Sequence, residues 1–174
     1  RNIVIAAGSR PFVPPIEGLE NVDYLTSDNL WEKLSHQSLP PKRLVIIGGG
    51  PIGCELSQAF ARLGSQVTQV QRGEQLLNKE DSEVAEYAKT CLEADGVRVL
   101  LEHDAVRCER IKADEQIDGQ SSKRLTLKHN GTESVIEFDE IIIAVGRSAR
   151  MSGYGLENLG IDTEKTVVTN DYLE

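Results

Sequence analysis

Residues 44–53 read Leu44-Val45-Ile46-Ile47-Gly48-Gly49-Gly50-Pro51-Ile52-Gly53, an apolar run that ends in clustered glycines and leads into an amphipathic segment from Cys54 to Leu63. This order predicts a strand, a phosphate-cradling turn and a helix. Gly48 allows the tight turn, Gly50 lets backbone approach a pyrophosphate, and Gly53 lets the helix pack closely on the strand. The helix N-terminus adds N–H donors and the positive end of its dipole. A dinucleotide is the expected ligand.

Working outward, Ile52, Leu56, Ala59, Phe60 and Leu63 fall on one face of a helix that Gly64 stops, and Ser65 to Gln71 alternates around Val67 and Val70 as the next strand. A second helix is expected from Ser82, capped by Asp81, with Val84, Tyr87, Ala88, Cys91 and Leu92 on its apolar face up to Gly96. Val97, Val99 and Leu101 mark a third strand. The pattern then changes to consecutive strands: Ala105–Ile111, a polar loop through Lys112–Lys123, Arg124–His129 and Ser134–Phe138. Asn130-Gly131 is a preferred two-residue hairpin turn, because both residues tolerate positive φ. Glu140–Val145 is apolar enough for a return strand buried on both faces, ended by Gly146-Arg147.

Upstream, Ile3–Ala7 reads as a buried strand closed by Gly8-Ser9-Arg10-Pro11, and Pro11, Pro14 and Pro15 keep the chain extended. A short helix is expected after Thr26-Ser27-Asp28, with Leu30, Trp31 and Leu34 on one face, ended by Pro40-Pro41. Gly153, Gly155 and Gly160 mark loops, and Thr166–Thr169 a short last strand. The fold class is α/β: a three-layer Rossmann-like domain with a parallel sheet, a glycine-rich β-α-β unit and an antiparallel β-meander.

A chain of 174 residues, 39% hydrophobic, can bury a core, and its formal net charge of −9 argues against a surface that gathers nucleic acid or anionic lipid. No charged-then-apolar leader or run of membrane-spanning length stands out, so a cytoplasmic location is expected, with no membrane and no nucleic acid among the partners. Cys54, Cys91 and Cys108 lack the spacing of a redox dithiol or a zinc site and read as small buried apolar residues. His36, His103 and His129 read as surface residues, and no metal site is expected. Both ends of the chain have the look of a piece cut from a larger protein.

The succession IVIAAGSRP, PPIEGL, LVIIGGGPIGCELSQAFARLGSQVTQV, meander and IIIAVGR resembles the nicotinamide-dinucleotide domain of the FAD-dependent pyridine nucleotide-disulfide oxidoreductases, especially the dihydrolipoamide dehydrogenase and mercuric reductase branch. The resemblance implies that residues 1–11 end a crossover strand from an FAD domain, 12–42 form a linker with a short helix, 43–150 bind NAD(P)H, and 151–174 lead back to the FAD domain. It implies hydride transfer from NAD(P)H to flavin, then to a disulfide or similar acceptor, in a homodimeric parent. This chain alone is expected to be inactive.

Carried over residue by residue, Gly48, Gly49, Gly50, Pro51, Ile52 and Gly53 would hold the pyrophosphate, and Glu55 matches a catalytic-site glutamate near the nicotinamide that pairs with a lysine of the FAD domain. Val106 matches a valine lining the adenine pocket, and Gly146 a glycine where backbone passes the dinucleotide. Arg10 is expected to make a structural pairing near the interdomain turn, and Arg147 is assigned no ligand. At the end of the second strand a carboxylate for the ribose is expected, and the chain has Gln71 and Arg72 instead. Loss of the carboxylate removes repulsion toward a 2′-phosphate, which Arg72 could pair with, helped by Lys79. NADP is therefore favoured over NAD, with FAD expected on domains outside this chain. Competing readings are a related flavoprotein without a redox disulfide, such as an NADH oxidase or a ferredoxin-reductase-like protein, and a non-catalytic dinucleotide-sensing module.

Overall fold

A computed structural model describes residues 4–111, 123–161, 163 and 166–172. In chain order its elements are β1 (Ser9–Pro11), β2 (Leu25–Thr26), α1 (Leu30–Leu34), β3 (Arg43–Ile47), α2 (Pro51–Arg62), β4 (Gln66–Val70), α3 (Ser82–Ala94), β5 (Arg98–Leu100), β6 (Asp104–Arg110), β7 (Lys123–His129), β8 (Thr132–Phe138), β9 (Glu140–Ile143) and β10 (Arg147–Ala149).

Strand β3 lies at the middle of a five-stranded parallel sheet of order β2-β9-β3-β4-β5. Side-chain alternation divides its residues between two cores. Leu44 and Ile46 face the helices with Val67, Ile142, Phe60, Leu92 and Val97. Val45 and Ile47 face the meander with Val70, Ile141, Ile143, Leu125, Leu127 and Phe138. The meander is a three-stranded antiparallel sheet, β6-β7-β8, turned at Asn130 (φ 49°) and Gly131 (φ 79°) as the asparagine-glycine pair dictates. Helices, parallel sheet and meander make the three expected layers. At the amino ends of the central strands, Arg43 Nη2 lies 2.7 Å from Asp139 Oδ1, and Arg43 N–H donates to Asp139 Oδ2 at 2.8 Å, fixing where β9 enters beside β3.

Several expectations change. Residues 4–8 form no strand, and Val4 and Ile5 are exposed, because no neighbouring strand edge is available to them among the described residues. The ladder starts at Ser9, where β10 supplies an antiparallel partner. Residues 12–42 contain the short helix and also contribute β2 and buried Leu19, Val22, Leu25 and Leu30, while Trp31 faces solvent. The return strand ends at Ile143, although Ala144 N–H still donates to Ile47 O at 2.8 Å. Residues 166–169 make one bridge, Thr163 to Val167, rather than a strand. The polar loop lies outside the described residues apart from Lys123 at the start of β7.

The two helices are rotated from the faces their large apolar residues predict. In α2 the buried residues are Gly53, Ser57 and Phe60, with Ala59 and Leu63 exposed. In α3 they are Ala85 and Leu92, with Val84 and Tyr87 outside. Close approach to a sheet favours small residues at the contact, which a search for large apolar residues passes over. Cys108 is buried, but Cys54 and Cys91 are half-buried.

Candidate functional site

A cavity of about 660 Å³ opens at the carboxyl ends of β3, β4 and β9. In open parallel sheets this edge, where connections leave in opposite directions, is where ligands bind. The wall includes Gly48–Ile52, Gln71 and Arg72 after β4, Asn78, Lys79, His103–Ala105, Ala144–Gly146, and Phe12 with Pro14–Ile16.

The glycine turn is fixed by its contacts. Gly48 has φ +122°, and a Cβ there would lie 2.3 Å from Ala144 O. Its N–H donates to Val70 O at 2.8 Å, and its carbonyl accepts from Gln69 Nε2 at 3.0 Å. A Cβ on Gly53 would meet that same carbonyl oxygen at 2.2 Å. Gly50 differs: a Cβ there would meet nothing within 4 Å. Helix α2 makes its first backbone bond from Cys54 N–H to Gly50 O. The N–H groups of Ile52 and Gly53 therefore lie ahead of its ladder, while Pro51 has none to lose. This cradle fits an anionic pyrophosphate by its open space, its donors and the helix dipole. The Cys54 thiol, beside the turn, is pushed up in pKa chiefly by burial.

At the end of β4, Gln71 turns inward. Its Oε1 accepts from Gly49 N–H at 3.2 Å and its Nε2 donates to Gln75 O at 3.2 Å, so it braces the turn. Arg72 is 87% exposed, and its Nε lies 3.1 Å from Asp104 Oδ1. Next to Asp104, the His103 ring stacks on His129 with centroids 4.4 Å apart and planes 10° from parallel. Both rings are half-buried rather than on the open surface.

The family model for pyridine nucleotide-disulphide oxidoreductases matches residues 1–174. The chain belongs to this family. It is 36% identical over 174 residues to a mercuric reductase of Lysinibacillus sphaericus, covering 99% of this chain and 30% of that protein. It is 34% identical to a dihydrolipoyl dehydrogenase of Bacillus subtilis (strain 168), covering 99% and 35%. Among solved structures it is similar to the HOCl-induced flavoprotein disulfide reductase RclA from Escherichia coli, with TM-score 0.75, 26% identity, and 94% and 35% coverage. The chain thus spans about a third of the length of these relatives.

Within this pyridine nucleotide-disulphide oxidoreductase chain, Gly48, Gly49, Gly50, Pro51, Ile52, Gln71, Arg72 and Gly146 share the cavity wall, as does Lys79. Gly53 lies beneath the turn. Val106 does not line the cavity, whose wall there is His103, Asp104 and Ala105. Glu55 is exposed on the second turn of α2, outside the cavity lining and without a hydrogen-bond or ion-pair partner among the described residues. Arg147, rather than Arg10, makes the pairing near Pro11. Its Nε donates to Ser9 Oγ at 2.8 Å, its Nη2 to Ser9 O at 2.9 Å, and its Nη1 to Ser27 Oγ at 3.0 Å and Asp28 Oδ1 at 3.1 Å. Sequence reasoning missed Gln69 and Asp104. Gln69 is a fully buried amide, but with Gln66 and Thr68 in the same strand it did not stand out. Asp104 carried no signal, since its partner is set by the meeting of two loops.

Proposed function

We propose that this chain is the NAD(P)H-binding domain of an FAD-dependent oxidoreductase and that NADPH is its preferred nucleotide. When bound, the nicotinamide cofactor supplies hydride to flavin, from which electrons pass to a disulfide or similar acceptor. The observation that carries this reading is the open position at Gly50, between backbone crowded at Gly48 and Gly53, at the start of a twelve-residue helix. Ile52 and Gly53 N–H groups receive the pyrophosphate, and Gly146 leaves room at the far wall.

Arg72, with Lys79 on the same cavity, supplies positive charge for a 2′-phosphate. Gln71 supports this assignment by being neutral and already engaged with Gly49 and Gln75. Glu55 is assigned to the nicotinamide end, as partner to a lysine of the FAD domain, and Val106 to the support of the adenine side. In this reading residues 43–150 form the nucleotide domain and the segments on either side cross to the FAD domain of a homodimer. The three free cysteines suit the reducing cytoplasm.

The test is kcat/KM for NADPH and NADH with the full-length protein and its Arg72→Gln variant. The expected result is a preference for NADPH that falls about tenfold or more in the variant, the worth of a hydrogen-bonded charge. A strong NADH preference in the unmodified protein refutes the assignment of Arg72.

A further inference from the structure

We propose that Asp104 is a specificity-determining residue. It holds the Arg72 guanidinium when no 2′-phosphate is present, and so reduces the advantage of NADPH over NADH. The inference rests on the assignment of Arg72 to the 2′-phosphate.

The pairing is built into the backbone. Gln71 N–H donates to Leu100 O at 2.8 Å, His103 N–H to Gln71 O at 3.1 Å, and Glu102 N–H to Gly73 O at 3.0 Å. These bonds fasten the stretch after β4 to the stretch after β5, so residues 72 and 104 flank one junction. The second stretch is itself held: Glu102 takes φ +56°, His103 Nδ1 lies 2.5 Å from Leu101 O, and the ring stacks on His129. Asp104 therefore offers its carboxylate from a fixed position, 3.1 Å from Arg72 Nε. No other acceptor lies on the guanidinium among the described residues.

Both side chains are well exposed, at 87% and 56%, so solvent screens the pair and a more highly charged anion can displace the carboxylate. A 2′-phosphate is such an anion, with oxygens spaced for a guanidinium fork. It must separate Arg72 from Asp104 or share it, and either lowers what the guanidinium contributes to binding. NADH carries a hydroxyl at that position and pays neither penalty. The carboxylate absent from the end of β4 is thus replaced at the start of β6, where it acts on the ligand through Arg72.

The experiment measures dissociation constants of NADP⁺ and NAD⁺ for the full-length protein, Asp104→Asn, Arg72→Gln and the double variant, with thermal midpoints to show that each is folded. Asp104→Asn is expected to tighten NADP⁺ about two- to fivefold, the scale of an exposed ion pair. NAD⁺ should be unchanged, and the gain should vanish in the double variant. If Asp104→Asn leaves NADP⁺ binding unchanged or weaker while Arg72→Gln weakens it, the Asp104 role is overturned and the Arg72 reading stands. A gain that persists in the double variant also overturns it, since the carboxylate then acts by general repulsion. If Arg72→Gln leaves NADP⁺ binding untouched, both readings fall.

Discussion

Replacing Gly53 by alanine places a methyl carbon 2.2 Å from Gly48 O and 3.1 Å from its carbonyl carbon. A carbon–oxygen contact normally needs about 3.3 Å, so the helix or the turn must move by about 1 Å. The obstruction is backbone, and the carbonyl is also held by Gln69 Nε2 at 3.0 Å, so no side chain can rotate away. Overpacking of this kind costs about 1–3 kcal/mol, and the gain of alanine over glycine in a helix returns at most about 1 kcal/mol. A net loss of about 1–2 kcal/mol is expected. Gly50→Ala is the control. Gly50 has φ −78° and ψ 179°, extended backbone open to any residue, and its Cβ would meet nothing within 4 Å. Its stability should change by less than about 0.5 kcal/mol. Its methyl would instead stand in the pyrophosphate cradle and weaken NADPH binding about tenfold or more. Urea unfolding followed by circular dichroism, together with NADPH titration, separates the two effects. Gly50→Ala binding NADPH with unaltered affinity, or Gly53→Ala unfolding at the original urea concentration, would refute the reasoning.

Three further outcomes follow from particular contacts. Gln69→Leu removes the donor to Gly48 O but also the buried Gln69 Oε1, which has no partner; stability should stay within about 1 kcal/mol, while dinucleotide affinity falls because the turn loses its clamp. Arg147→Ala should cost about 1–2 kcal/mol by freeing Ser9, Ser27 and Asp28, and should speed amide exchange at Phe12, whose N–H donates to Gly146 O. Burial, with Glu20 nearby, pushes the Cys108 thiol up to about 11; at pH 8 it stays protonated, so a thiol reagent should label half-buried Cys91 well before Cys108, and equal rates would contradict the burial described.

The order of elements was legible in the sequence because its signals are local. Apolar runs, the glycines after α2 and α3 and Asn130-Gly131 each constrain a few neighbouring residues, and β3, β4, β5 and β9 of the parallel sheet, the meander and the hairpin turn follow from them, while two-residue β2 left no such signal. What was not legible depends on distance of approach. Helix α2 comes so near the sheet that Gly53 and Ser57 occupy the contact and Leu63 is left in solvent. A periodicity of large apolar residues records where bulk lies along a helix. It does not record where the gap to the sheet is narrowest.

The same division runs through the site. The glycine turn proposed to cradle the pyrophosphate is legible because one continuous segment builds it, so the spacing of Gly48, Gly50 and Gly53 carries the geometry. The proposed adenosine end is assembled from the stretches after β4 and β5, and its chemistry depends on which side chains meet there. Read alone, Gln71 and Arg72 are a neutral residue and a cation in place of a carboxylate, which favours a 2′-phosphate. Once Asp104 stands 3.1 Å from Arg72, the local charge is balanced again, and the choice of nucleotide depends on how readily that pair parts. An exposed pair parts for a dianion and stays closed for a hydroxyl. On the proposed assignment the nucleotide preference belongs to the Arg72–Asp104 pair, and exchanging either member alone should shift it in opposite directions.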